Sequence, residues 1–106
     1  MTYYVVNGLG DSIDRPSPDQ MRRFLEDVDV SDEEHGAAWL STDGGLTLEW
    51  NGDGRLVYSW RPNPVRHLLH VSREKTLQLW KALADDRVGE VEAEAWQPGN
   101  GHHPHG

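Results

Sequence analysis

Two glycine-containing turns divide the stretch between residues 37 and 61 into three short apolar runs. The turns are Asp43-Gly44-Gly45 and Asn51-Gly52-Asp53-Gly54, and such Asp-Gly and Asn-Gly pairs adopt the positive φ angles that tight hairpins require. The second and third runs place large apolar side chains at every second position: Leu46, Leu48 and Trp50, then Leu56, Tyr58 and Trp60. Because a period of two puts such a set on one face of a strand, the stretch predicts a three-stranded antiparallel meander.

The remaining segments predict the other elements of an α+β domain. Further strands are expected at residues 3–6, 65–71 and 88–96, and helices at residues 18–28 and 73–84. Ser17 followed by Pro18 is typical of a helix start, and Ser72 caps the second helix, whose Trp80 is expected in the core. The predicted order is β-α-β-β-β-β-α-β, with a mostly antiparallel sheet and the two helices packed on one face.

The length of 106 residues predicts a single α+β domain over residues 1–98, followed by a flexible His-rich tail at residues 99–106. The tail histidines, His102, His103 and His105, can bind a metal loosely by composition alone, and we regard this as incidental.

The absence of cysteine excludes disulfides and Cys-based zinc sites. Since neither a signal segment nor a membrane span is predicted, the expected location is the cytoplasm.

The formal net charge of −8 at pH 7 constrains the class of partner. Nucleic acid and anionic membrane surfaces are not expected, because both require clustered Lys and Arg. A basic protein surface is expected, because an acidic chain accelerates its encounter with such a partner. The same charge is also common among proteins for which it only maintains solubility.

No pattern in the chain predicts catalysis, a cofactor or a functional metal. Gly8-Leu9-Gly10 follows a predicted strand, but neither a third glycine nor an immediate helix follows, so a phosphate-binding loop is not expected. His67 and His70 stand three positions apart in a predicted strand, which sends them to opposite faces. No serine lies in a Gly-x-Ser-x-Gly turn, and nothing in the sequence brings Glu49 and Asp53 together as an acid–base pair. The chain is therefore not expected to be an enzyme.

Acidic and tryptophan residues are the candidates for partner binding. An acidic segment follows the first predicted helix, and acids there do not stabilise the helix C-terminus. A second acidic row, in the last predicted strand, ends in an aromatic residue that suits an interface. These interpretations compete with a solvated loop and with charges that protect an edge strand from aggregation. The predicted partner-binding residues are Glu26, Asp27, Asp29, Asp32, Glu33, Glu34, Trp50, Trp60, Glu90, Glu92, Glu94 and Trp96.

Four segments give the chain its resemblance to a known family. They are Pro18-Asp19-Gln20-Met21 at a helix start, Ala38-Trp39-Leu40 with Leu46-Thr47-Leu48 around a turn, His70-Val71-Ser72-Arg73-Glu74 before a helix, and Val91-Glu92-Ala93-Glu94-Ala95-Trp96. Over residues 1–98 this order of elements resembles the small immunity proteins of bacterial polymorphic toxin systems, the family often found beside deaminase toxins.

This resemblance implies an inhibitor that binds a cognate toxin in the cytoplasm and blocks its active site. For a toxin that acts on nucleic acid, an acidic protein would occupy the basic groove in place of phosphates. The partner is then a protein with a basic surface, and the chain is a monomer or a weak homodimer. The alternative is a self-associating structural or regulatory module without enzymatic activity, which pairs through the last predicted strand.

Overall fold

The computed structural model describes residues 2–28, 36–60 and 63–99, and over these ranges an antiparallel sheet packs against helices. The strands are β1 (Tyr3–Asn7), β2 (Ser12–Asp14), β3 (Ala37–Thr42), β4 (Leu46–Asn51), β5 (Leu56–Trp60), β6 (Arg66–Leu68) and β7 (Gln97–Pro98). The helices are α1 (Pro18–Glu26), α2 (Arg73–Ala84) and α3 (Val88–Glu92). The α+β class and the antiparallel sheet are therefore confirmed.

The predicted meander forms because its turns contain the residues that tight hairpins need. β4 pairs with β3 on one side and with β5 on the other, both in antiparallel register. Gly45 and Gly54 have φ angles of +88° and +91°, a region in which glycine has no steric penalty. The full strand order in the sheet is β2-β1-β3-β4-β5-β6-β7, so the meander occupies the middle of the sheet.

Two strands at the margins differ from the prediction. β2 was not expected, and the segment around Gly8 and Gly10 forms the turn of the β1–β2 hairpin. Asn7 organises this turn, since its Oδ1 accepts hydrogen bonds from the backbone N–H groups of Leu9 and Asp11 at 2.9 and 3.0 Å. β6 is shorter than the predicted strand at residues 65–71, because His70 has a left-handed φ of +57° that ends the extended conformation.

Residues 88–96 do not form the predicted last strand. Val88–Glu92 is a short helix, α3, and only the two-residue β7 follows. α3 contains two valines and a glycine, which favour a helix only weakly, so tertiary contacts stabilise it: Val91 is buried in the core, and Glu92 bonds to Tyr58 and Arg66. In the structure Val91 is fully buried, whereas Ala93 and Ala95 are exposed, so the alternating positions do not share a buried face.

One face of the sheet and the helices share a hydrophobic core. Val5, Leu40, Leu48 and Tyr58 are aligned by the strand register into a row across β1, β3, β4 and β5, and each is almost fully buried. The helices add Met21, Phe24, Leu25, Leu79, Trp80 and Leu83 to the same cluster. Trp80 is fully buried, as predicted, and its Nε1 donates to the Leu48 carbonyl at 3.1 Å. α1 and α2 therefore cover the face that carries this row.

Arg73 connects the end of α1 to the start of α2 and to the sheet. Its Nε donates to the Leu25 carbonyl at 2.9 Å and a terminal nitrogen donates to the Val28 carbonyl at 3.2 Å. The Leu25 carbonyl also accepts a longer bond of 3.3 Å from the backbone N–H of Val28, and Val28 itself follows the helix. Arg73 therefore adds charged donors to carbonyls where α1 ends. The guanidinium also lies 5.0 Å from the ring centroid of Trp50, whose Nε1 donates to the Val71 carbonyl at 2.8 Å.

The β4–β5 turn packs against the same junction. The backbone N–H of Val71 donates to the Gly54 carbonyl at 2.7 Å. A Cβ at position 54 would lie 3.4 Å from the Cα of His70, close to an ordinary contact distance, so the left-handed φ of Gly54 is the stronger reason for glycine in this turn. The start of α2 is therefore held by the turn, by Trp50 and by Arg73 together.

We predict that Arg73→Lys lowers the free energy of unfolding by about 1–2 kcal/mol, because a lysine keeps the charge but cannot donate in a planar fork to two carbonyls. Urea denaturation followed by tryptophan fluorescence measures this loss. Arg22→Lys is the matched control, since Arg22 is exposed on α1 and pairs with Asp19 at the surface. Equal losses in the two variants would contradict a special role for the Arg73 contacts.

Candidate partner-binding groove

An open groove lies where β5 ends, beside the edge of the sheet that β6 and β7 form. Its volume is about 480 Å³. The described residues that line it are Trp60, Asn63, Pro64, Val65, Arg66, Glu92, Trp96 and Pro98. The fold thus brings together three of the predicted partner-binding residues, Trp60, Glu92 and Trp96, although β5 and α3 are far apart in the sequence.

Backbone hydrogen bonds hold the rim of this groove in place. The N–H of Asn63 donates to the Trp60 carbonyl at 2.7 Å, which turns the chain directly after β5. The N–H of Gly99 donates to the Val65 carbonyl at 2.9 Å, and the Gly99 carbonyl lies 2.9 Å from Nδ1 of His67. These contacts supplement the two residue pairs that join β6 to β7.

The carboxylate of Glu92 is held by two side chains of the sheet. The hydroxyl of Tyr58 donates to its Oε1 at 2.7 Å, and Arg66 donates to both carboxylate oxygens at 3.0 Å. The Arg66 guanidinium also lies 4.7 Å from the ring centroid of Tyr58. A bidentate arginine–carboxylate pair of this kind fixes orientation as well as charge. Glu92 therefore attaches α3 to β5 and β6.

This arrangement changes the titration of both acidic groups. Hydrogen bonds from Arg66 lower the pKa of Glu92, with a further contribution from the Tyr58 hydroxyl, although partial burial acts in the opposite direction. Burial raises the pKa of Tyr58, and its hydrogen bond to Glu92 raises it further. At neutral pH the Glu92 carboxylate in the groove is therefore ionised, and the phenol of buried Tyr58 that donates to it is protonated.

The two tryptophans of the groove differ in whether their indole N–H group donates a hydrogen bond within the chain. The Nε1 of Trp96 donates to the Val91 carbonyl at 2.7 Å, and its ring lies 5.0 Å from that of Tyr58 at an angle of 45°. Trp60 is 38 % exposed. No residue in the described ranges accepts a hydrogen bond from its Nε1. Part of the Trp60 side chain is therefore accessible to a partner, and its Nε1 is not used in a hydrogen bond with a described residue.

Glu90 and Glu94 do not line the groove. Glu90 pairs with Arg87 at 2.7 Å and Glu94 pairs with Lys75 at 3.0 Å, and both border a separate depression between α2 and α3. A strand would have placed them with Glu92 in a single row, whereas the helix separates them from it. All three carboxylates already have cationic partners within the chain.

The other predicted residues lie elsewhere. Trp50 is only 3 % exposed and belongs to the core, so its ring is not presented to a partner. Glu26 and Asp27 are exposed where α1 ends, beside the Arg73 contacts. Because the register pairs Leu46 with Trp60 and Trp50 with Leu56, the groove and this acidic pair lie near opposite ends of β4 and β5. Asp29, Asp32, Glu33 and Glu34, together with the tail histidines, lie outside the described residues.

Sequence reasoning missed the groove residues between β5 and β6. Asn63 and Pro64 fall between two predicted strands and were assigned no role, and Val65 and Arg66 were predicted only as the start of a strand. Exposed Val65, directly after a proline and close in sequence to Trp60, was the available signal. The role of Arg66 could not be found in this way, because it depends on contact with Glu92 in a distant helix.

The histidines of β6 and its continuation have separate environments. His67 is buried in β6 against Gly99, and His70 is exposed beyond the end of the strand. Within the described ranges, no cluster of three or more His, Cys, Asp or Glu side chains is placed to hold a metal ion.

The helices were also compared with the length of a membrane span. None in the described ranges has the length and apolar character that crossing a lipid bilayer requires.

Comparisons with protein-family models, with curated proteins and with solved structures found no match to this chain. Membership of the immunity-protein family therefore stays a prediction from the sequence resemblance. The functional argument consequently depends on the groove and on the distribution of charge around it.

We predict that Glu92→Gln destabilises the protein by about 1 kcal/mol at neutral pH, because a neutral amide replaces a carboxylate that accepts charged hydrogen bonds. The folded-state pKa of Glu92 is lowered, so its contribution is present above the unfolded-state pKa of about 4.3 and is lost as the pH falls through the folded-state value. The difference between wild type and variant should therefore shrink in acid.

Urea titrations from neutral pH down to about pH 3 measure this difference. Glu90→Gln is the matched control, since Glu90 belongs to the same helix but forms an exposed pair whose loss should matter little. A Glu92→Gln effect that stays constant over the whole pH range would contradict the assigned role of the carboxylate.

Proposed function

We propose that this protein is an immunity protein, which binds a cognate bacterial toxin in the cytoplasm and occludes the basic region of its active site. The observation that carries the proposal is the groove in which exposed Trp60 stands beside Trp96. Tryptophans at the centre of an interface supply a large part of the binding energy in many complexes. A groove with two of them, on an acidic chain, supports docking of a partner protein.

The distribution of charge supports a basic partner. Ion pairs within the chain take up many of its cationic groups: Arg22 with Asp19, Arg55 with Asp53, Arg66 with Glu92, Lys75 with Glu94, and Arg87 with Asp85 and Glu90. Glu26, Asp27, Glu74 and Asp86 are exposed and form no ion pair with a described residue. Arg15, Arg23 and Lys81 are likewise exposed without such a pair, but with Asp11, Asp14 and Asp43 the acids outnumber them, so the uncompensated charge of the described surface is negative. A negative surface favours encounter with a positive one. A toxin that acts on nucleic acid carries such a surface where phosphates bind.

The state of Glu92 favours binding over catalysis. A general acid or base must exchange a proton with a substrate, and its pKa is best matched to the working pH. Glu92 instead accepts hydrogen bonds from Tyr58 and Arg66, and its pKa is lowered away from neutrality. In this groove the carboxylate therefore acts as a structural connection.

The alternative function, self-association through the last strand, has less support. Edge pairing draws its energy from main-chain hydrogen bonds along an exposed strand. β7 contains only Gln97 and Pro98, and proline has no N–H to donate. Analytical ultracentrifugation distinguishes the two proposals, since a stable homodimer that ignores the toxin would favour self-association over immunity.

We predict that Trp60→Ala weakens binding of the toxin domain by about tenfold or more, because truncation removes an exposed aromatic anchor. The protein encoded by the adjacent upstream gene is the partner to test, and isothermal titration calorimetry measures the affinity. Leu9→Ala is the matched control, since Leu9 is a highly exposed apolar residue in the β1–β2 turn, far along the sheet from the groove. Lack of binding by wild type at micromolar concentrations would refute the proposed function.

A separate prediction concerns the acidic pair where α1 ends. Glu26→Lys combined with Asp27→Lys should lower the association rate constant several-fold at low salt and change the dissociation rate little, because these residues lie away from the groove and act at long range. Stopped-flow fluorescence against ionic strength measures both rates. The neutral pair Glu26→Gln and Asp27→Asn should give an intermediate effect, and a change confined to dissociation would place these residues inside the contact.

A further inference from the structure

The side-chain contacts that fix α1 and α2 to their neighbours have acceptors that do not titrate. Arg73 donates to the carbonyls of Leu25 and Val28, and Trp80 donates to the carbonyl of Leu48. A backbone carbonyl takes up no proton in the ordinary pH range, and arginine stays charged throughout it. These contacts therefore persist when the solution becomes acidic.

The segment from α3 to β7, residues 88–98, is attached to the sheet through a carboxylate instead, and we call it the α3–β7 segment. Glu92 accepts a hydrogen bond from Tyr58 at 2.7 Å and two from Arg66 at 3.0 Å. The bonds from Arg66 are charge-assisted, so they weaken when the carboxylate is protonated.

A second carboxylate joins the α3–β7 segment to α2. Glu94 accepts a hydrogen bond from Lys75 at 3.0 Å. The indole of Trp96 and the amide of Gln97 donate to carbonyls inside the segment, so they do not attach it to another element. Among the described residues, the side-chain hydrogen bonds that attach the segment to other helices or strands therefore depend on two charges that acid removes.

The remaining contacts of the α3–β7 segment are limited in extent. Asp86 has a left-handed φ of +61°, so α3 is not a continuation of α2. α3 has five residues and no side-chain cap, and a helix of this length is not stable on its own. β7 has two residues, one of them a proline without an N–H. Buried Val91 and the ring of Trp96 against Tyr58 add apolar contact, and the charged contacts supplement it.

We propose that the α3–β7 segment is released in acid: protonation of Glu92 and Glu94 detaches it while β1–β6, α1 and α2 stay folded. The direction of the pH effect follows from the contacts of Glu92. Hydrogen bonds from Arg66 lower its folded-state pKa, so its contribution is fully present above the unfolded-state pKa and is lost as the pH falls through the folded-state value. Release also restores the conformational freedom of the segment, which opposes docking at every pH.

The cationic and phenolic groups around the two carboxylates do not offset this effect. Arg66, Lys75 and Arg87 stay protonated as the pH falls, because acid favours the charged form of a base. Lys81 also borders the depression between α2 and α3, and it behaves in the same way. The phenol of Tyr58 stays neutral. Acid creates no new negative charge near these cations, so the lost attraction is not replaced.

Two further titratable groups lie beside the segment. Nδ1 of His67 donates to the Gly99 carbonyl, just beyond β7, at 2.9 Å, and a protonated imidazole keeps this donor. Glu90 pairs with Arg87 directly before α3, so its protonation breaks a local pair and not a contact with the sheet. Neither group therefore explains a release in acid.

Release of the segment removes one wall of the groove. Glu92, Trp96 and Pro98 belong to the segment, whereas Trp60 and Val65 belong to the part that stays folded. The groove is therefore complete at neutral pH and incomplete in acid. This property belongs to the protein alone, so it goes beyond the proposed function and can be tested without a partner.

The test measures hydrogen exchange by mass spectrometry from neutral pH down to about pH 3. Protection factors are compared between fragments that contain residues 88–98 and fragments of α2, because these factors correct for the intrinsic pH dependence of exchange. We expect the segment to lose protection at a higher pH than α2, since its opening leaves the rest of the fold intact. Any other order of loss would overturn the proposal.

Variants at neutral pH imitate the protonated carboxylates. Glu92→Gln should lower the protection factor of the segment about fivefold. Glu94→Gln should have a smaller effect in the same direction, because its pair is partly exposed, and it provides a second readout if Glu92→Gln does not fold. Glu90→Gln is the matched control and should leave the protection unchanged. Equal effects of Glu90→Gln and Glu92→Gln would overturn the proposal.

Arg73→Lys separates release of the segment from unfolding of the whole chain. The contacts of Arg73 are intact whether the segment is docked or released. This variant should therefore lower the protection factor of α2 about fivefold and leave that of the segment unchanged. Equal losses in α2 and in the segment would show that the segment exchanges only when the whole domain unfolds, which would overturn the proposal.

Discussion

The guanidinium of Arg73 is the contact on which the packing of the helices depends. It satisfies carbonyls where α1 ends, stands at the first position of α2 and lies over the ring of Trp50 in the sheet. Three elements with no local connection thereby meet at one charged group. A half-buried charge is stable only when its donors are used, and here carbonyls where α1 ends supply the acceptors. The arrangement orients both long helices from one end of the sheet.

That anchoring explains why the groove lies at the other end. β4 and β5 extend away from Trp50 and Leu56 towards Leu46 and Trp60, and the last of these side chains is only partly covered. α3 and β7 reach this region and close it on one side, through Glu92 and Trp96. Trp50 and Trp60 have the same alternation and face the same side of the sheet, yet one is core and the other is surface. The difference comes from where the helices are anchored, which is a property of the tertiary structure.

The parts of the fold that could be predicted from sequence are those set by local chemistry. The turns at Gly45 and Gly54 and the caps at Ser17 and Ser72 each depend on a few neighbouring residues. α3 was predicted as a strand because the alternation of Glu with Val and Ala resembles a two-residue period, and its valines and glycine gave no helical signal against it. The contacts of Val91 and Glu92 that stabilise the helix are tertiary. The candidate site was predictable only in part. Trp60, Glu92 and Trp96 were selected as residues, but their meeting in one groove depends on a pairing between Arg66 and Glu92 that no local pattern contains.

The Glu92 carboxylate is already hydrogen-bonded to Tyr58 and Arg66, so it contributes less to direct pairing with a basic partner than a free carboxylate would. If the carboxylates near α3 were free, they would form direct ion pairs with a basic partner, and the affinity would fall steeply with salt. Glu90, Glu92 and Glu94 instead already pair with Arg87, Arg66 and Lys75, so a partner gains little by replacing those contacts. If the proposed binding function holds, salt should act mainly on the rate of encounter, and the lifetime of the complex should depend on the apolar contact at Trp60. In the proposed complex, the long-range effect then comes from acids such as Glu26 and Asp27 and the short-range effect from the groove, which lie near opposite ends of β4 and β5.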